Sequence, residues 1–253
     1  MLVSPIPIGC IVLVCVFGGA MLGMTIHTLL PEHHLNAESK DVIKLGMGLI
    51  ATMSALVLAL LTNSAKGSYD TQRNEVTQVA ANVILLDRVL AHYGPETKEA
   101  RDLLKVSVAG MIDRMWPNDR VPNAKLGPTT ASGELFFDKI QELTPQNEVQ
   151  HALQAQALNL SIGIGQARLL LFEQGGRSIP MPFLVLLIFW VTVIFLSFGL
   201  FAPRNATVVV TLFLCARSVS GAIFLIMELD RPFGGVIQIS SAPLHNALAS
   251  IGR

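Results

Sequence analysis

Arg217 lies inside an otherwise uncharged apolar run, residues 206–227, and eleven residues before Glu228. An arginine at mid-span of a membrane helix costs about 2.5–3.5 kcal/mol on insertion scales, so something must answer its donors. Helical geometry places Arg217, Gly221, Phe224 and Glu228 on one face, yet leaves Arg217 and Glu228 roughly 16 Å apart along the axis. That is too far for a pair within one helix. Arg217 must face another helix, a neighbouring subunit or a water-filled cavity. Two roles fit: a structural clamp to backbone carbonyls or a distant carboxylate, and a charge that attracts anions near a pathway.

The same run ends in "ELDRPFGG", residues 228–235. Charged residues mark a membrane boundary, Pro232 stops a helix, and Gly234 and Gly235 permit a sharp turn. Two further readings stand behind that one. Glu228 and Asp230, with Arg231, form a hinge pairing with basic residues from mid-chain, or the two carboxylates make a weak cation site. Elsewhere the chemistry is sparse. Glu32, His33 and His34 fall in a short link, with His27 shortly before; they read as solvated loop residues, because adjacent histidines share no helix face. "GIGQAR" at 163–168 follows no strand and is not a dinucleotide fingerprint. There is no nucleophile elbow, P-loop or zincin motif, Ser240 and Ser241 have no histidine–acid arrangement, and the chain does not read as an enzyme.

An uncharged stripe is more informative. Gly48, Thr52, Ala55, Ala59 and Thr62 recur at three- and four-residue steps in a second apolar run, with Leu45, Leu49, Leu56 and Asn63 beside them. Small residues let membrane helices approach closely, which is the packing reading. The other reading is a conduit wall. Small and hydroxyl residues admit water, Leu56 narrows the path as a dewetting constriction, and Asn63 marks the inner mouth.

The elements that must position these residues follow from composition. Only 14% of the 253 residues are charged and half are hydrophobic, against about 25% charged in soluble domains, so the chain is partly dissolved in lipid. Net charge is zero, which gives no footprint for nucleic acid. Cys10, Cys15 and Cys215 all sit in apolar runs and read as buried hydrophobes, without disulfide or zinc spacing. Residues 8–30 carry no acid, lysine or arginine, and at 1.5 Å per residue their roughly 34 Å crosses a hydrocarbon core. The basic start of a signal peptide is missing.

Three more spans are expected, about 42–65, 181–202 and 206–228, the one at 181–202 opened by Pro180 and Pro182 at a helix entry. The result is two membrane hairpins, 1–65 and 179–230, around an insert at 66–178, with a tail at 231–253. Residues 66–177 hold twelve lysines and arginines, and Arg231 and Arg253 lie on the same side; Lys40 and Arg204 lie on the other, with Lys44 near the boundary. The positive-inside rule then puts both termini and the insert in the cytoplasm, in the cell (inner) membrane. Within the insert, Val76, Val79, Val83, Leu86 and Leu90 form a helical stripe ended by Gly94-Pro95. Helices are also expected from Pro95 to about Met115, at 134–143 and at 146–173, with a loop at 117–133.

The C-terminal "ELDRPFGG" followed by "ISSAPLHNAL", and the stretch "LPEHHLNAESKDVIKLGMGLIATMSALVLALL", resemble bacterial membrane proteins grouped as a bestrophin-like domain family. The resemblance spans nearly the whole chain. It implies a distant likeness to bestrophins: pentameric ion channels with four spans, whose second span from each subunit lines the pore. In some members calcium binds acids after the last span. Those clasps use a dense acidic cluster, whereas here only Glu228 and Asp230 follow it, which argues against calcium gating. Together these readings predict an all-α integral membrane protein with a large helical cytoplasmic insert. It would be a homo-oligomer passing inorganic ions, without a cofactor or metal. Rival expectations are a membrane-anchored protein whose insert binds a partner, and a small-solute transporter; the latter lacks an inverted repeat or broken helix.

Overall fold

The computed structural model describes residues 5–29, 37–116, 129–174 and 179–252, all of whose regular elements are helical. In chain order they are α1 (Pro5–Leu29), α2 (Ala37–Tyr93), α3 (Lys98–Met115), α4 (Thr129–Gln141), α5 (Glu148–Gln174), α6 (Met181–Phe201), α7 (Ala206–Leu229) and α8 (Ala242–Ser250), with a 3-10 turn at Pro95–Thr97. Four of them, α1, α2, α6 and α7, are long and apolar enough to cross a membrane. The chain is an all-α membrane protein. It divides into two compact units, one of residues 1–68 and 177–230, the other of residues 69–176 and 231–253.

In the first unit, α1 packs against both α6 and α7. The α1–α6 contact is made by glycine. A Cβ on Gly23 would collide with the Leu196 carbonyl, one on Gly199 with the Ala20 carbonyl, and one on Gly19 would crowd Thr192. Backbones can approach this closely only where side chains vanish. Against α7, the Ser220 hydroxyl donates to the Gly9 carbonyl at 2.7 Å, and Phe17 meets Phe213 edge-to-face at 5.3 Å. Cations at the ends of the helices are answered locally. Arg204, in the 203–205 link, donates to the Met24 carbonyl and, at 3.3 Å, to Thr28 Oγ1 of α1. Lys40 lies over the Phe201 ring, 5.9 Å from its centre.

The span expected at about 42–65 and the helical stripe at 76–90 lie on a single helix, α2, of 57 residues. The charge pattern changes at Lys66, but no proline interrupts the backbone, and Gly67 costs only about 1 kcal/mol in a helix interior.

The core of the second unit gathers Val76, Val79, Val83, Leu86 and Leu90 of α2 with Leu104, Val108 and Ile112 of α3 and Phe136 and Ile140 of α4. Gly94, at φ 143°, breaks the chain after α2 as its sequence implies. Two expectations are corrected. The loop expected at 117–133 gives way to helix from Thr129; residues 117–128 lie outside those described. Residues 231–252 are not a polar tail but part of this core. Ile239, Leu244, Ala247 and Ile251 are buried in it, and Phe233 packs against it. The Trp116 indole donates to the Ile239 carbonyl at 2.7 Å and meets Phe233 edge-to-face at 5.3 Å.

Candidate functional site

The face that α2 turns to its own unit carries Met47, Ile50, Ser54, Val57, Leu58, Leu61 and Ala65, with Leu61 and Ala65 in the core. The stripe singled out from sequence lies round the other side. Gly48, Thr52, Ala55, Leu56, Ala59, Thr62 and Asn63 are all exposed, Leu56 at 71%. Gly48 and Ala55 stand at the edges of two clefts shared with α6, the second also with α7. A lone chain therefore gives most of this stripe nothing to pack against. Its polar groups are uncharged: Thr52 and Thr62 donate their hydroxyls to the Leu49 and Leu58 carbonyls, each at 2.8 Å. Their oxygens keep lone pairs turned outward as acceptors.

Arg217 is exposed half-way along α7, at the side of a groove of about 710 Å³ lined by Ile6, Gly9, Cys10 and Leu13 of α1 and Gly221 and Phe224 of α7. It makes no hydrogen bond, ion pair or ring contact among the described residues. The three cysteines are exposed on this unit too, against the expectation that they are buried.

At the end of α7, Glu228 and Asp230 are buried, 2% and 9% exposed, and Arg231 is half-buried. The Asp230 N–H donates to the Ile226 carbonyl at 3.2 Å, closing the helix. The Pro232 carbonyl then accepts from Ile239 at 2.6 Å and the Arg231 carbonyl from Gly234 at 3.2 Å, with Gly235 at φ 104°. "ELDRPFGG" is a helix stop and a turn. No group of three potential metal ligands occurs among the described residues. Glu32, His33 and His34 lie outside those residues; His27 is half-buried, with Nδ1 buried and unpaired. "GIGQAR" lies within α5, as its pattern required.

Sequence reasoning passed over the glycines of the α1–α6 seam. Gly19-x-x-x-Gly23 is a legible small-xxx-small motif; its partner Gly199 carries no such local signal.

Four apolar helices with a helical insert define a class of integral membrane protein, and similarity narrows it. The Bestrophin-like domain family matches residues 14–244, and the chain belongs to that family. Its fold is that of crystal structures of a bacterial bestrophin homolog from Klebsiella pneumoniae. One point variant superposes with a TM-score of 0.72 at 14% identity, covering 99% of this chain and 98% of that one. A structure phased with zinc gives 0.63 at 14% identity, covering 92% and 96%. A further variant gives 0.71 at 12%, covering 96% and 98%. No curated protein matches the sequence.

Proposed function

We propose that the chain forms a homo-oligomeric, passive ion channel whose axis is lined by the exposed face of α2. The observation that carries this reading is the exposure of Gly48, Thr52, Ala55, Leu56, Ala59 and Asn63 on the face away from the chain's own core. Helix packing within the chain does not account for it. Membership of the bestrophin-like family supports the assignment to ion permeation, and five copies is the number implied by the distant bestrophins. Water and ions would follow small and hydroxyl-bearing residues, Leu56 would form the narrow apolar ring, and Asn63 would stand at the inner mouth.

The orientation proposed is both termini and the insert in the cytoplasm, in the inner membrane, on the lysine and arginine bias. The reading invokes no cofactor and no calcium, and assigns Glu228, Asp230 and Arg231 to ending α7 and turning the chain.

Purified protein in planar bilayers should conduct. Leu56→Ala should raise the conductance and Asn63→Asp should shift its cation-to-anion ratio. A folded oligomer that passes no current, or currents indifferent to both substitutions, overturns the proposal.

A further inference from the structure

Arg217 is the charge that the proposed conduit leaves unexplained. Residues 8–30, 42–65, 181–202 and 206–227 contain no aspartate or glutamate, so a second copy of the chain cannot bring a carboxylate to its depth. What another copy can bring is an aromatic face, whose negative quadrupole attracts a guanidinium. Phe213, one turn before Arg217, is 41% exposed but already meets Phe17 edge-to-face, whereas Phe189, near the middle of α6, is 61% exposed and has no such ring contact among the described residues.

Two observations put these side chains on complementary flanks. First, α6 and α7 each border both α1 and α2: α1 directly, α2 through the clefts edged by Met47, Ala55 and Leu58. Their exposed faces therefore form two different flanks of the unit. Second, one cavity of about 300 Å³ is lined by Leu187 and Val191 of α6 and by Ser218 and Ala222 of α7. Phe189 lies between the first pair in sequence and Arg217 adjoins the second, so the two positions agree in depth to within about a helical turn. A cyclic assembly about the membrane normal joins one flank to the other and preserves depth.

We infer that the α7 flank of one copy docks on the α6 flank of the next, with the Arg217 guanidinium over the partner's Phe189 ring. This rests on the homo-oligomer of the proposed function, but not on its conducting. The contact satisfies the arginine without a counter-charge, and its repetition would close the ring.

The test uses the full chain in membranes with Cys10, Cys15 and Cys215 replaced by alanine. Carrying Arg217→Cys together with Phe189→Cys, it should give a ladder of covalent multimers with a short bifunctional thiol reagent. Arg217→Cys paired with Ile11→Cys, on the exposed face of α1, should give none. Arg217→Leu and Phe189→Leu should each weaken the oligomer on dilution roughly tenfold, the double variant no further, and Arg217→Lys should restore part of the loss. Absence of the ladder in an oligomer that is intact by native mass overturns the docking, as do additive losses in the double variant. Arg217→Leu that leaves assembly unchanged but alters the halide dependence of the current also overturns it, placing the arginine on an ion path. Bilayer recording of the unmodified protein reports on conduction separately.

Discussion

Tyr93 ends α2 with its hydroxyl buried and unpaired. Burial, and after it the carboxylate of Glu96, raises its pKa above the ordinary value of 10. Above pH 10 the unfolded chain loses this proton first, so folding stability falls as pH rises from there toward the folded value. Tyr93→Phe should flatten the alkaline end of a melting-temperature profile and leave the neutral region little changed. Asp87 is a sharper case. Its carboxylate, 2% exposed, takes two hydrogen bonds from Arg101 at 2.7 and 3.0 Å, and the Gly252 N–H reaches it at 3.4 Å. The Arg101 guanidinium is held more firmly protonated by that bond. Asp87→Ala should cost about 3–5 kcal/mol, because it strands a partly buried guanidinium, and thermal unfolding of the whole protein in detergent would measure it. Arg101→Met in the same background should recover part of the loss.

At the level of elements, the α1–α6 seam admits no side chain at Gly23 or Gly199, where the obstruction is backbone. Gly199→Val should lower the melting temperature and the yield of folded protein, whereas Gly18→Ala, with open space around its Cβ, should do neither. Gly67 also has open space and sits inside α2, so Gly67→Ala should stabilise the helix by about 1 kcal/mol, read from the same melts. These helices were legible to different degrees. The ends of α6 and α7 follow from Pro180, Pro182 and the 203–205 link, and Gly94-Pro95 marks the end of α2 in plain sequence. The continuity of α2 through Lys66 was hidden because hydropathy, not backbone propensity, changes there. The exposed stripe was legible as a pattern, but periodicity cannot say which face of a helix is already occupied. The role of Phe233, Ile239 and Leu244 was illegible because their partners, Trp116 among them, lie more than a hundred positions away.

For the molecule as a whole, the hydrogen bond from Trp116 to Ile239 constrains what separates them. Both groups belong to one folded core, so residues 116 and 239 are on the same side of the membrane, and the chain between them crosses it an even number of times. This follows without counting charges. Thiols introduced at exposed Val149 and Val236 should be labelled by an impermeant reagent from the same face of sealed vesicles. The division of that core has a further consequence, for biosynthesis. Residues 69–176 are made first, but Ile239, Leu244 and Ala247 follow only after α6 and α7 have been translated. Until then the apolar faces of α2 and α3 lack part of their cover, and the growing chain exposes an aggregation-prone surface while its last hairpin inserts. A chain whose α6 and α7 fail to integrate is therefore expected to leave the second unit open to proteolysis.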